Sequence, residues 1–182
     1  MTERRVFLDC EFIPERTDNA GLLTIGMTDN NGNSCYLTNR QADWAHAHTI
    51  PFMRLAVLPK IFCASTGQGA ADVENWPDHE ASTILEMRSV VADYFLLGGA
   101  PKTTYAWCGA SDLFRLQGLW NHNWTMMPRQ IPHWFQDLEG LLQIYGISES
   151  DLPVQGQGKH HALADAHHDK AVYDYIERVR TK

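Results

Sequence analysis

The stretch Arg5-Val6-Phe7-Leu8-Asp9-Cys10-Glu11-Phe12-Ile13 constrains this chain more than any other. It reads as a strand, and a strand sends successive side chains to opposite faces. Val6, Leu8, Cys10 and Phe12 then share one face, which reads as core, while Phe7, Asp9, Glu11 and Ile13 share the other. The second face carries two carboxylates about 7 Å apart along the strand and aimed the same way. Desolvation and mutual repulsion both oppose such a pair. Two environments relieve it: open solvent, or a divalent cation, which prefers hard oxygen ligands.

The rest of the chain supplies a domain around that strand. Its 182 residues are enough for a single domain, 1–182, with one good core. A net charge of −7 argues against broad, sequence-blind gripping of duplex nucleic acid, which relies on a basic surface. It is compatible with an enzyme that holds only a short single-stranded end. Cys10, Cys35, Cys63 and Cys108 are scattered with no C-x-x-C pair, so zinc knuckles and a disulfide framework are both disfavoured. Buried, reduced thiols in a cytoplasmic protein are the expectation. No apolar run approaches the length of a membrane span.

In chain order, a turn over Pro14 to Asn19 leads to a second strand, Leu22 to Thr28. Asp29-Asn30-Asn31-Gly32-Asn33 is a hairpin turn, because Asn and Gly tolerate positive φ, and Ser34 to Thr38 is the third strand. The three form an antiparallel meander. Between Asn39 and His79 the pattern weakens: a short helix over Ala42 to Ala47, an extended piece at Ile61-Phe62-Cys63, and loops at Gly67, Gly69 and Pro77. Glu80 to Leu97 is the clearest helix, with Ile84, Met87, Val91, Tyr94 and Phe95 at helical spacing. Thr103 to Cys108 reads as a strand, Asp112 to Trp120 and Gln136 to Tyr145 as helices, and Pro153 to Lys159 as a flexible loop. The last helix runs from Ala164 to Arg178 and turns Ala171, Val172, Tyr175 and Val179 inward. Strands alternating with helices after a meander imply a mixed α/β sheet flanked by helices.

Three places on this scaffold carry chemistry: the Asp9/Glu11 pair, Asp112 just past a strand and a glycine turn, and His160-His161-Ala162-Leu163-Ala164-Asp165 where a glycine-rich loop meets the last helix. Taken singly, Asp112 and Asp165 are explained by helix capping and His160 by a loop. Taken in order, Asp-x-Glu, Asp and His-x-x-x-x-Asp form a specific constellation. It resembles the DEDD exonucleases of the ribonuclease H-like fold, in the subclass whose third motif carries histidine. Leu8-Asp9-Cys10-Glu11-Phe12, Tyr105-Ala106-Trp107-Cys108-Gly109-Ala110-Ser111-Asp112 and His160 to Asp165 are similar to the small ribonuclease T-like exoribonucleases. Among these, the mycobacterial adenylate-specific exoribonuclease family is the nearest in motif.

The resemblance implies a fold and an activity: a metal-dependent 3′-to-5′ exoribonuclease that shortens single-stranded RNA ends to nucleoside 5′-monophosphates. Asp9, Glu11, Asp112 and Asp165 would hold two Mg²⁺ or Mn²⁺ ions, and His160 would act as general base. Phe12 would lie against the terminal nucleotide, although strand parity assigns it to the core. A homodimer and a preference for adenylate tails are carried over from the same relatives. A proofreading-type DNA exonuclease would use the same carboxylates, and a silent RNA-binding module would keep the fold without needing metal. His161, His167 and His168 could with His160 suggest a transition-metal site. Adjacent helical residues diverge by about 100°, however, so His167 and His168 read as surface. Trp107, in mid-strand, reads as core.

Overall fold

The computed structural model describes residues 3–65, 81–97, 103–156 and 158–181. The expected loops at Gly67, Gly69 and Pro77 lie outside the described residues. Strands β1 (Arg5–Phe12), β2 (Leu22–Asp29) and β3 (Ser34–Asn39) form the antiparallel meander. Further along come β4 (Ala81–Ser82), β5 (Thr103–Ala106) and β6 (Gln136–Asp137), giving one sheet in the order β4-β3-β2-β1-β5-β6. β5 runs parallel to β1, β6 parallel to β5, and β4 parallel to β3. The Asp-x-Glu strand is therefore interior, with neighbours on both sides.

Alternation along β1 divides the core as the parity predicts. Val6, Leu8 and Cys10 pack with Ile25, Met27, Met87, Val91 and Phe95, beneath α3 (Ile84–Leu96) and α4 (Gly109–Gly118). Phe7, on the opposite face, packs with Tyr105, Leu138 and Leu142 and with Val172, Tyr173 and Ile176, beneath α5 (Leu138–Tyr145) and α6 (Ala162–Arg180). Asp9 and Glu11 share the face of Phe7, so α6 is the element that covers them.

Several boundaries differ from the sequence reading, each for a local reason. The register of β1 with β2 shifts between Glu11 and Phe12, and the strand ends there, one residue before Ile13. The helix expected from Glu80 starts at Ile84, because Ala81 and Ser82 pair with Thr38 and Asn39 and Thr83 closes a capping box with Glu86. Ile61 to Cys63 is helical, inside α2 (Leu58–Ser65), and α1 occupies Trp44–Thr49. A wide turn at Met53–Val57 joins those two helices. α4 begins at Gly109, three residues early, since Cys108 turns the chain with φ 55°. Gln136 and Asp137 form a short strand, and the Asp137 side chain then caps α5. In α6 the inward stripe runs through Ala162, Ala166, Asp169, Val172, Tyr173 and Ile176. Tyr175 is only half-buried and Val179 is exposed. The thiols of Cys10 and Cys35 are covered at least in part, whereas that of Cys108 is exposed, against the expectation of buried cysteines.

A buried ion pair ties the far end of the sheet together. Arg4 Nε donates to Asp29 Oδ2 at 2.8 Å and its other nitrogens donate to the Tyr94 and Phe95 carbonyls. Asp29 also accepts the N–H groups of Asn31 and Asn33 in the hairpin turn. Removing one partner strands the other charge in the interior, which costs about 3–5 kcal/mol. We expect Arg4→Ala to lower the thermal midpoint by about 10 °C, read by circular dichroism.

Candidate active site

The site is assembled from three places in the chain. β1 supplies Asp9 and Glu11 on its α6 face. The first turn of α4 supplies Asp112, and the start of α6 supplies Asp165, with His160 just ahead of it. Asp112 is 3% exposed, and its Oδ1 accepts the backbone N–H of Cys10 at 2.9 Å, between the two strand carboxylates. Helix capping does not account for that partner. Asp165 accepts the His160 backbone N–H on Oδ2 at 2.9 Å and the Gln155 side-chain amide on Oδ1. The first of these bonds folds the loop back on the helix and holds His160 at φ 69°.

Glu11, His160 and Asp165 each offer a ligand atom, and these atoms all lie within 4.8 Å of one another. Asp9, His160 and Asp165 also line one cavity of about 380 Å³, with Gln155, Lys159 and Asp169. The electrostatics are those of crowded carboxylates. Burial, then Asp112, Glu11, Asp165 and Asp169, push Asp9 well above the usual carboxylate range. Burial, followed by Asp165 and Asp112, raises Glu11 to about 8. Burial raises Asp112 to about 8 against the opposing Cys10 N–H. Among the described residues no cationic side chain forms an ion pair with any of them. An oxygen-rich, anionic, largely buried donor set of this kind fits a hard divalent cation, which removes the repulsion that raises these groups.

Three residues sit differently from the sequence reading. Phe12 is half-buried against the core and also lines a separate cleft with Pro14, Ala110, Ser111, Phe114 and Arg115. The Arg115 guanidinium lies 4.2 Å from its ring centre. The register shift after Glu11 allows both placements. Trp107 lies past the end of β5, where it packs against the core and also lines the His160 cavity. His168 faces that same cavity, while its neighbour His167 is exposed, so the 100° divergence places one of the pair inward. Among the described residues, the group whose ligand atoms converge does not include His161. That histidine caps α6 through the Ala164 N–H and stacks on Tyr36 with ring centres 4.4 Å apart.

Sequence reasoning missed two participants. Phe52, 54% exposed, sets its ring edge to the His160 imidazole at 5.2 Å between centres, and lies in the stretch whose pattern was weakest. Asp169 is 4% exposed and belongs to the cavity wall. Its signal was available: Asp165 and Asp169 are four apart on one helix and so lie on the same face.

Glycine makes this convergence possible. Gly26 on β2 pairs with Asp9, and a Cβ at position 26 would lie 2.2 Å from the Ala162 carbonyl carbon and from the Leu163 nitrogen. The first turn of α6 therefore rests directly on the sheet beside Asp9.

No protein-family model matches the chain, and no curated protein does. Among solved structures, a product-bound exonuclease I is similar over 98% of this chain, with a TM-score of 0.56 and 13% identity. The fold is ribonuclease H-like. The chain spans 44% of the length of that exonuclease I chain. Among the described residues no helix is long and apolar enough to cross a membrane.

Proposed function

We propose that the protein is a divalent-metal-dependent 3′-to-5′ exonuclease of single-stranded RNA ends, releasing nucleoside 5′-monophosphates. The observation that carries this reading is the meeting of Glu11, His160 and Asp165 within 4.8 Å, beside Asp9 and the buried carboxylate of Asp112. Those residues come from three distant segments, and among the described residues no cationic side chain forms an ion pair with them. Asp9, Glu11, Asp112 and Asp165 would hold the cations, Mg²⁺ or Mn²⁺. When bound, such ions supply Lewis acidity that activates water and stabilises a departing oxygen. His160, held by its backbone bond to Asp165, accepts the proton of the attacking water. Phe52 limits how that imidazole can turn. Phe12 and the cleft beside it would receive the terminal nucleotide.

RNA as the polymer, adenylate preference and a homodimer follow from the motif resemblance, and the similarity to an exonuclease of the same fold supports the reaction class. The test uses end-labelled RNA and DNA of matched sequence with Mg²⁺, Mn²⁺ or EDTA. Stepwise shortening of RNA from its 3′ end, abolished by EDTA, is expected. Shortening of DNA alone would reassign the polymer, and RNA binding without cleavage in any metal would sink the enzyme reading. In the same assay His160→Ala is expected to slow cleavage by about 10² or more. An unchanged rate would remove His160 from the proton transfer.

A further inference from the structure

Five carboxylates, not four, are gathered at this site, and the fifth has no place in the scheme above. Asp169 is 4% exposed, one helical turn beyond Asp165, and on the same wall of the cavity as Asp9. Its Oδ2 accepts the backbone N–H of Trp107 at 2.9 Å. Trp107 opens the turn between β5 and α4. The next residue, Cys108, is left-handed at φ 55° and gives α4 no side-chain cap. The residue after that, Gly109, has its N–H taken by Asp137 Oδ2 at 2.9 Å. Two carboxylates from α6 and the start of α5 thus hold a turn that cannot hold itself.

That turn sets where Asp112 stands, because Asp112 lies one helical turn further on. From there Asp112 reaches the Cys10 N–H between Asp9 and Glu11. The contacts form a closed path: α6 to the turn through Asp169, the turn to α4, α4 to β1 through Asp112, and β1 through its partner strand β2 to the start of α6 at Gly26. Burying a carboxylate among others is costly. A residue held there against that cost has a positional task, and the Trp107 N–H is the group it holds.

We infer that Asp169 is a positioning residue of the cation site, fixing Asp112 against Asp9 and Asp165 through the Trp107 amide without touching the ion. This rests on the cation-site reading given above. Supporting groups of this kind typically change metal affinity by about 10–100-fold when removed. The hydrogen bond needs only an acceptor oxygen, so an amide should serve where a methyl cannot.

The experiment is a Mn²⁺ titration of the full chain followed by electron paramagnetic resonance, on the unsubstituted protein, Asp169→Ala and Asp169→Asn, with melting curves alongside. The alanine variant is expected to need at least about tenfold more Mn²⁺ for half-saturation, and the asparagine variant to stay within a few-fold of the parent. Amide hydrogen exchange at Trp107 should quicken in the alanine variant only. An asparagine variant that weakens binding tenfold would overturn the inference and make Asp169 a direct ligand. Unchanged affinity in both variants would overturn it in favour of a purely structural role. Should the alanine chain fail to fold, the asparagine titration alone decides, since parental affinity supports positioning and a tenfold loss refutes it. No Mn²⁺ binding by the parent protein would overturn the cation-site reading itself, and this inference with it.

Discussion

Asp9→Asn is expected to leave cleavage at or near background while raising the stability of the metal-free protein. Asp9 is held well above the usual carboxylate range, by burial first and then by Asp112, Glu11, Asp165 and Asp169. An amide of the same shape carries no charge to desolvate or repel. It is also a poor ligand for a hard cation. A bound cation contributes several kcal/mol of transition-state stabilisation, so its loss corresponds to a rate decrease of about 10³ or more. The two readouts move in opposite directions, which separates a chemical role from a structural one. Melting in EDTA at pH 8 reads the stability, and the end-labelled RNA assay the cleavage. A variant that melts lower and is inactive would mean that Asp9 supports the fold, and full activity would remove it from the reaction. Asp165→Ala should be equally inactive.

The second large effect is a coupling of pH, cation and stability. Glu11 is raised from 4.5 to about 8, Asp112 from 3.8 to about 8, and Asp169 from 3.8 to about 7. Such groups bind protons more tightly in the folded chain than in the unfolded one. Their contribution is therefore complete below about pH 4 and is lost as pH rises toward 8. Metal-free protein should accordingly melt lower at pH 8.5 than at pH 5.5, a direction set by these buried carboxyls. Divalent cation reverses the trend, because it binds the deprotonated set. At a hundredfold excess over its dissociation constant a ligand adds about 2.7 kcal/mol, or about 5–10 °C for a domain of this size. We expect a Mn²⁺-induced rise of that order at pH 8.5, shrinking toward pH 5.5. A rise independent of pH would place the ion elsewhere.

The parts of this molecule that could be read from its residues are those governed by short-range periodicity. Alternation in β1 put Asp9 and Glu11 on one face opposite Val6 and Leu8, and the Asp29–Asn33 turn placed the meander. The helical stretch with Met87, Val91 and Phe95 needed only a shifted start, because strand pairing by Ala81 and Ser82 is a long-range event with no local signature. After Asn39 the short helix expected over Ala42 to Ala47 is found two residues later, as Trp44–Thr49, but the helix over Leu58–Ser65 was read as an extended piece, since Trp44, Met53, Val57 and Ile61 form their own small core with Leu23 and Ile13 and show no single clean stripe. The site divides in the same way. Motif spacing singled out Asp9, Glu11, Asp112, His160 and Asp165. Asp169 and Phe52 contribute through contacts that only the assembled fold creates, and the inward face of α6 was misjudged because it runs through a carboxylate.

Gly26 carries a consequence for when this site comes into being. The β1 carboxylates and the His160–Asp165 segment lie about 150 residues apart in sequence and meet only because α6 lands on a bare glycine. Without that landing the site lacks His160 and Asp165, and only Asp9, Glu11 and Asp112 remain at β1. Partly folded forms without that contact would lack the complete donor set, and the site would be completed by the docking of α6 rather than grow in proportion to structure. The glycine thus works as an interlock between completion of the fold and completion of the site.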